Sequence, residues 1–445
     1  MAYEGGIKKM RRIVVALILC GLIGLIGFSA ASAKTTLTFV SYFDVSPEAT
    51  WPAAAAHWMM ADKFMKANPD VEIQFLFVTF GELVPQVVRW TMTGELPDIV
   101  ALDNPDVLHA AAAGVYYDLT PLVQQWGQWD DFYAGVKHAL TYQDQIVALL
   151  PGTNNVALYY RKDIFRQYGL TPPRTWKELL DVCALLSEKL AGTGMYPLGV
   201  AATNTEELTW QFEPFLWSNG GSLLELDKPE AIAALELWVE LFQKGYVPQD
   251  ALTWGQGADP FIGGQVAMMI NGPWILPLVR EAGLEYGIVP IPAPSEGRKV
   301  VVPMGGETLG ISSTIQADKV AIAWKYFTFF VEPENMAEFC TRAGYVPTRK
   351  SALPLVVAKD PELEPFATQA VSSLPRPPMG GDKLYTEVSA IARKYIQLAL
   401  AGELTAKDAF AHAASEIRAL FPTDQAYQDA VAKARRLLEE VASGS

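Results

Sequence analysis

The chain is poor in the residues that most often carry chemistry. Four histidines (His57, His109, His138, His412) are scattered through 445 residues, and each reads as a helix-surface residue rather than a ligand. Three cysteines are present. Cys183 and Cys340 lie far apart among apolar helical residues and read as core thiols, neither a disulfide framework nor nucleophiles. There is no Gly-x-x-x-x-Gly-Lys-Ser/Thr loop, no His-Glu-x-x-His pair and no Gly-x-Ser-x-Gly elbow. Phosphate-loop, zinc-peptidase and serine-hydrolase chemistry therefore have no support, and neither a metal nor a cofactor is expected. Positive charge is also short: 35 Lys and Arg stand against 49 Asp and Glu, a formal net charge of −14. A field of that sign repels phosphate backbones and excludes nucleic acid as a partner.

Long apolar runs are lacking except one, Ile13 to Phe28. It is short of the ~20 residues a spanning helix takes. Lys8, Lys9, Arg11 and Arg12 precede it, and Ala31-Ser32-Ala33 follows. A basic leader, an apolar stretch and a small-x-small site make a signal peptide over residues 1–33, cleaved after Ala33, and so an exported protein. Membrane association stays open through an uncleaved anchor or a lipid on Cys20, although Leu19 stands where lipoprotein signals place a small residue. The remaining chain is long enough for two lobes.

What is abundant is aromatic: 12 Trp, 17 Tyr and 20 Phe. Strand and helix patterns alternate from the start. Leu37–Tyr42 reads as a strand, and Ser46 as the N-cap of a helix through Lys66. Val71–Phe77 alternates, Asp98–Leu102 is a third strand, and Thr175-Trp176-Lys177-Glu178 is a capping box. Val266–Ile270 is an apolar run closed by Asn271-Gly272-Pro273, as in a buried strand leading into a helix. Repeated β–α units predict an α/β fold with largely parallel sheets. The Pro-rich run Ser372–Gly381 reads as a surface loop. Trp176, Trp238 and Trp324 recur at helical spacing on apolar faces and belong to the core.

Other aromatics stand at strand ends or beside turn residues: Phe43 before Asp44, Trp254 before Gly255, Trp274 after Asn-Gly-Pro, Tyr345 after Gly344. Ligands of parallel α/β sheets bind beyond the carboxyl ends of strands. Flat rings beside Asp, Asn and Gly suit a molecule with C–H faces and a hydroxyl rim, as sugars have. Glu206, Glu207 and Glu213 offer a glycosidase-like carboxylate set, but neighbours at i, i+1 do not face each other on a helix; a solvated helix start is the simpler reading. Tyr159-Tyr160, a pair that could suit iron, alternates faces within a strand and reads as core.

Pro97–Leu102 (PDIVAL), Asn154–Phe165 (NNVALYYRKDIF), Phe215–Gly221 (FLWSNGG) and Ala267–Trp274 (AMMINGPW) occur in this order, followed by YGIVPIP and LGISS. Together they resemble the family 1 extracellular solute-binding proteins of ABC importers, best known from maltose- and maltodextrin-binding members. The resemblance implies two α/β lobes of the type II periplasmic-binding-protein fold, joined by three crossings and holding a sugar in the cleft. The crossings fall near Pro151–Val156, Pro303–Thr308 and Gly344–Pro347. The N-terminal lobe is then 34–152 with 306–346, and the C-terminal lobe 153–305 with 347–445.

By the same resemblance Trp274 occupies a sugar-stacking position, Trp210 and Trp254 fall where those members use tyrosines, and Asp44 follows the first strand where an aspartate contacts sugar. Asn154 replaces a glutamate, and Leu102-Asp103-Asn104 replaces a tryptophan with charged contacts. These departures leave the particular sugar open. Phe43, Asp103, Asn104, Gly305, Gly306, Tyr345 and Arg349 complete the candidate site. The implied partners are a di- or oligosaccharide and the membrane subunits of an ABC permease, with the protein acting as a monomer. A polyol phosphate ester as ligand, a secreted glycoside hydrolase and a sensor subunit are the competing readings.

Overall fold

The computed structural model describes residues 34–443; the proposed signal peptide lies outside them. The first sheet pairs Thr35–Ser41 in parallel with both Val71–Phe77 and Ile99–Val100, and Gly310–Ile311 closes its edge antiparallel. Asp98, the acid of the PDI motif, fastens it. Its Oδ2 accepts from the Thr38 amide at 2.9 Å and hydroxyl at 3.0 Å, and pairs with Lys319 Nζ at 2.9 Å.

The second sheet runs Tyr286–Val289, Ala157–Arg161, Val266–Asn271, Tyr196–Gly199. Only its last pairing is parallel. The expectation of largely parallel sheets fails here, because the chain enters through Ala157–Arg161 directly from a crossing rather than from a helix. Every residue of Val266–Asn271 is buried, as a continuous apolar run requires when both faces are covered. Leu158 and Ile270 join an apolar cluster with Phe212, Phe215, Trp217 and Trp238. Tyr159 and Met269, on the opposite face, join a second cluster that runs through Phe366 and Val346 to Phe39 and Phe64 under the first sheet. The Tyr159 hydroxyl donates to Gly272 O at 2.8 Å, so the Tyr159-Tyr160 pair does not converge on a ligand.

Three crossings connect the two sheets. Val346 pairs with Thr153 and Pro347 with Gly152. The Gly305 amide donates to Asn154 O at 3.1 Å, and the Asn104 amide to Gly306 O at 3.1 Å. Gly306 has φ +109°, and a Cβ there would lie 2.3 Å from Gly152 O. Only glycine lets these strands approach so closely.

Some local expectations need correcting. Ser46 caps nothing: the helix is Pro52–Ala67, with Pro52 in its first turn. Residues 42–51 instead form a loop beyond the strand end. The Thr175 cap is present, Oγ1 accepting from the Glu178 amide at 3.2 Å, although Glu178 returns its bond to Arg174. His57 is buried among Phe39, Phe43, Phe330 and Phe339 rather than surface-exposed. Burial lowers its pKa to about 3. The run Ser372–Gly381 is not a surface loop; Ser373–Pro375 is a strand paired with Val302–Met304, and Arg376–Met379 is a buried helical turn. Cys183 and Cys340 are buried and unpaired.

Candidate functional site

A cavity of about 570 Å³ opens where the crossings meet the strand ends. Phe43, Asp103, Asn154, Trp210, Trp274, Gly305 and Tyr345 all line it. Trp274 follows the strand end because Pro273 starts a helical turn. Its ring lies over the preceding backbone: a Cβ on Gly272 would sit 1.9 Å from the indole. Asn271 holds the facing loop, its Nδ2 donating to Gln256 O and Gly257 O at 3.2 Å.

The remaining candidates sit elsewhere. Asp44 is exposed and lines an adjoining depression that shares Tyr42, Phe43 and Trp51 with the cavity. Asn104 is buried behind the wall, with both side-chain polar atoms unpartnered. Gly306 shapes the crossing and does not line the space. Trp254 packs against both apolar clusters, while Gln256 and Gly257 just after it reach the cavity. Arg349 is not part of the site. It is fully engaged by Asp131 at 2.8 Å, Gln128 at 2.6 Å and Val331 O at 2.7 Å.

Seven polar residues of the wall were not among the candidates: Tyr42, Thr205, Glu206, Glu207, Gln256, Glu307 and Arg376. Arg376 is buried and central. Its guanidinium pairs with Asp103 at 3.0 Å and Glu206 at 2.9 Å, and lies 4.5 Å from the centroid of the Trp210 ring. Burial works against its charge, but Asp103, Tyr385 and Glu206 outweigh that and hold its pKa above the ordinary value. Glu206, read as a solvated helix start, instead accepts from Tyr385 and from Ser389. Glu213 lies fully buried behind it, and burial and the Glu206 charge push its pKa well above the ordinary carboxylate value.

Glu307 accepts a hydrogen bond from Tyr42 and is approached by Tyr345, whose hydroxyl also reaches Asn154. Burial and the Asp103 charge push Glu307 up to about 7. Its position directly after Gly305-Gly306 was the available sequence signal. For Arg376 the signal was a lone base in a proline run, which composition alone assigns to the surface.

The sequence pattern of the bacterial extracellular solute-binding proteins matches residues 59–365. The chain belongs to this family. It is 25% identical to the maltotriose-binding protein of Pyrococcus abyssi over 361 residues, covering 76% of this chain and 77% of that one. It is 28% identical to the sn-glycerol-3-phosphate-binding periplasmic protein UgpB of Salmonella typhimurium over 330 residues, covering 66% and 72%. Among solved structures, maltose-bound T. maritima MalE3 superposes with a TM-score of 0.76 at 26% identity, covering 87% of this chain and 100% of that one. The fold is thus the two-lobe fold of periplasmic binding proteins. A solute-binding protein of an extracellular family acts outside the cytoplasm. No helix among the described residues is long and apolar enough to cross a membrane, and among them no cluster of His, Cys, Asp and Glu could hold a metal ion.

Proposed function

We propose that the protein is the carbohydrate-binding component of an ABC importer, holding a di- or oligosaccharide between its lobes and passing it to a membrane permease. The lobes are taken as 34–152 with 306–346, and 153–305 with 347–445. One observation carries the reading: indole and phenyl faces from both lobes (Trp210 and Trp274 from one, Phe43 and Tyr345 from the other) surround a space rimmed by carboxylates and Asn154. Ring faces stack on sugar C–H surfaces, and the carboxylates and amide take hydroxyls.

The electrostatics argue against a phosphate ester. Arg376 is the only cationic residue among those lining the cavity, and Asp103 and Glu206 already engage it. Hydrolysis is not supported either, since Glu213 is sealed from the cavity and joined to Glu206 through Tyr385. The protein acts in this reading as an exported monomer without enzymatic activity. Calorimetric titration with maltose, maltotriose, other oligosaccharides and glycerol 3-phosphate tests it. Saturable binding of a saccharide is expected; binding of the phosphate ester alone would overturn the carbohydrate assignment.

A further inference from the structure

The cavity is lined by more carboxyl groups than a neutral sugar needs. Asp103, Glu206, Glu207 and Glu307 line it, and Asp44 and Glu48 line the adjoining depression. Against these six acids one base lines the space, Arg376, with Asp103 and Glu206 as its partners, and Arg393 behind the wall stands 3.6 Å from Glu206. Glu207 and Glu307 have no ion pair. Glu207 accepts only from the Gln256 amide at 3.2 Å and the Thr205 hydroxyl at 3.0 Å. Glu307 is 5% exposed, and its Oε2 makes no hydrogen bond of normal geometry, although the Tyr345 hydroxyl approaches the carboxyl. A buried carboxyl with an unsatisfied oxygen and no cationic partner in a binding cavity is a position for a charged donor carried by the ligand.

The rings on the first-lobe side fit the same donor. Tyr42, Phe43 and Phe80 pack together, with centroids 4.6 and 4.9 Å apart. Trp51 and Phe80 are left 44% and 54% exposed at the mouth. Their faces attract a cation as well as a C–H surface.

We infer that the preferred ligand is a saccharide bearing a protonated amine, the ammonium meeting Glu307 and Glu207 while the ring stacks on Trp274. This rests on the carbohydrate reading and narrows it. An ammonium also supplies the counter-charge that would let Glu307 ionise in its buried place. A neutral hydroxyl brings no such counter-charge and leaves burial acting against the charged form of Glu307.

The test is calorimetric titration at low ionic strength with matched oligosaccharides, α- and β-linked, each as the free amine and as the N-acetylated form. Unsubstituted maltose and maltotriose, and the polyamine spermidine, complete the set. The amine forms are expected to bind about tenfold or more tighter than their acetylated partners, as a charge-assisted bond exceeds a neutral one. That ratio should fall to within about twofold in Glu307→Gln. Glu207→Gln, at a half-buried helix start, should lower it as well and covers the case in which the first variant does not fold. Neutral or acetylated sugars binding as tightly as the amines would overturn the inference and leave the carbohydrate reading standing. Spermidine binding with no saccharide binding would overturn both.

Discussion

Trp274 can lie flat at the cavity wall because the residue two before it has no side chain. A Cβ on Gly272 would meet the indole at 1.9 Å, so this glycine sets the ring's pose. Trp274 is only half-buried, and its truncation should leave the fold standing. A stacked ring contributes on the order of 0.5–1.5 kcal/mol beyond area burial. Trp274→Ala is expected to weaken saccharide binding by about tenfold with thermal unfolding little changed; calorimetry and a melting curve read the two effects separately. Glu307 gives a second expectation. Its carboxyl is raised from 4.5 to about 7 in the folded protein, so the native state holds an extra proton between those values. Stability from this group is present below pH 4.5 and is lost as pH rises through 7. Denaturant unfolding of the unliganded wild type and of Glu307→Gln should show the wild type losing about 2–3 kcal/mol relative to the variant between pH 4.5 and 7.5. A difference that stays constant across that range would mean that Glu307 ionises normally.

Among the elements, the crossings impose the tightest demands. Gly306 needs both a positive φ and the absence of a Cβ, whose nearest neighbours would be the Gly152 carbonyl and Thr153. Gly306→Ala should cost about 1–3 kcal/mol and weaken binding, because Asn154 and Glu307 hang from the same strands. Thr175→Ala, at a helix start remote from the cavity, should cost about 1 kcal/mol with no change in affinity, which separates lost stability from a misaligned crossing. The same elements show what the sequence made legible. Val266–Asn271 and its Asn-Gly-Pro stop could be read as a buried strand end because a continuous apolar run has few other solutions. The paired glycines 305 and 306 marked a close approach for an equally local reason. The buried turn Arg376–Met379 was not legible: prolines report only local backbone preference, and here tertiary structure decides burial, since Ser373–Pro375 just before it pairs with Val302–Met304 and Met379 joins the apolar cluster that holds Tyr385. Arg376, Glu206 and Asp103 are far apart in the chain and acquire meaning only when the second lobe brings them together. The helix from Ser46 failed likewise, because Asp44 to Trp51 serve the rim instead of a cap.

At the scale of the whole molecule, closure is the step a permease would read. Contacts from both lobes at once exist only when the cleft is shut, so a ligand favours that state by its differential affinity. Moving a population from 1:99 to 99:1 takes roughly 5.5 kcal/mol of such preference, within reach of a few desolvated hydrogen bonds and two stacked rings. The protein already contains one contact of this kind. Arg376 joins Asp103 at the end of the first sheet to Glu206 on the other side. Removing the guanidinium leaves Asp103 without a cationic partner across the cleft, while Glu206 keeps Arg393 at 3.6 Å, and breaking a buried pair in this way costs about 3–5 kcal/mol. Arg376→Met should therefore have a larger radius of gyration without ligand than the wild type. It should still contract on saturation, with weaker affinity. In the wild type, small-angle scattering should show contraction when a saccharide binds, and fluorescence should change in step, since Trp51, Trp210 and Trp274 line the cavity. A wild-type radius unchanged at saturation would remove closure as the signal. A radius in Arg376→Met equal to the unliganded wild type would remove this ion pair as what holds the lobes near each other.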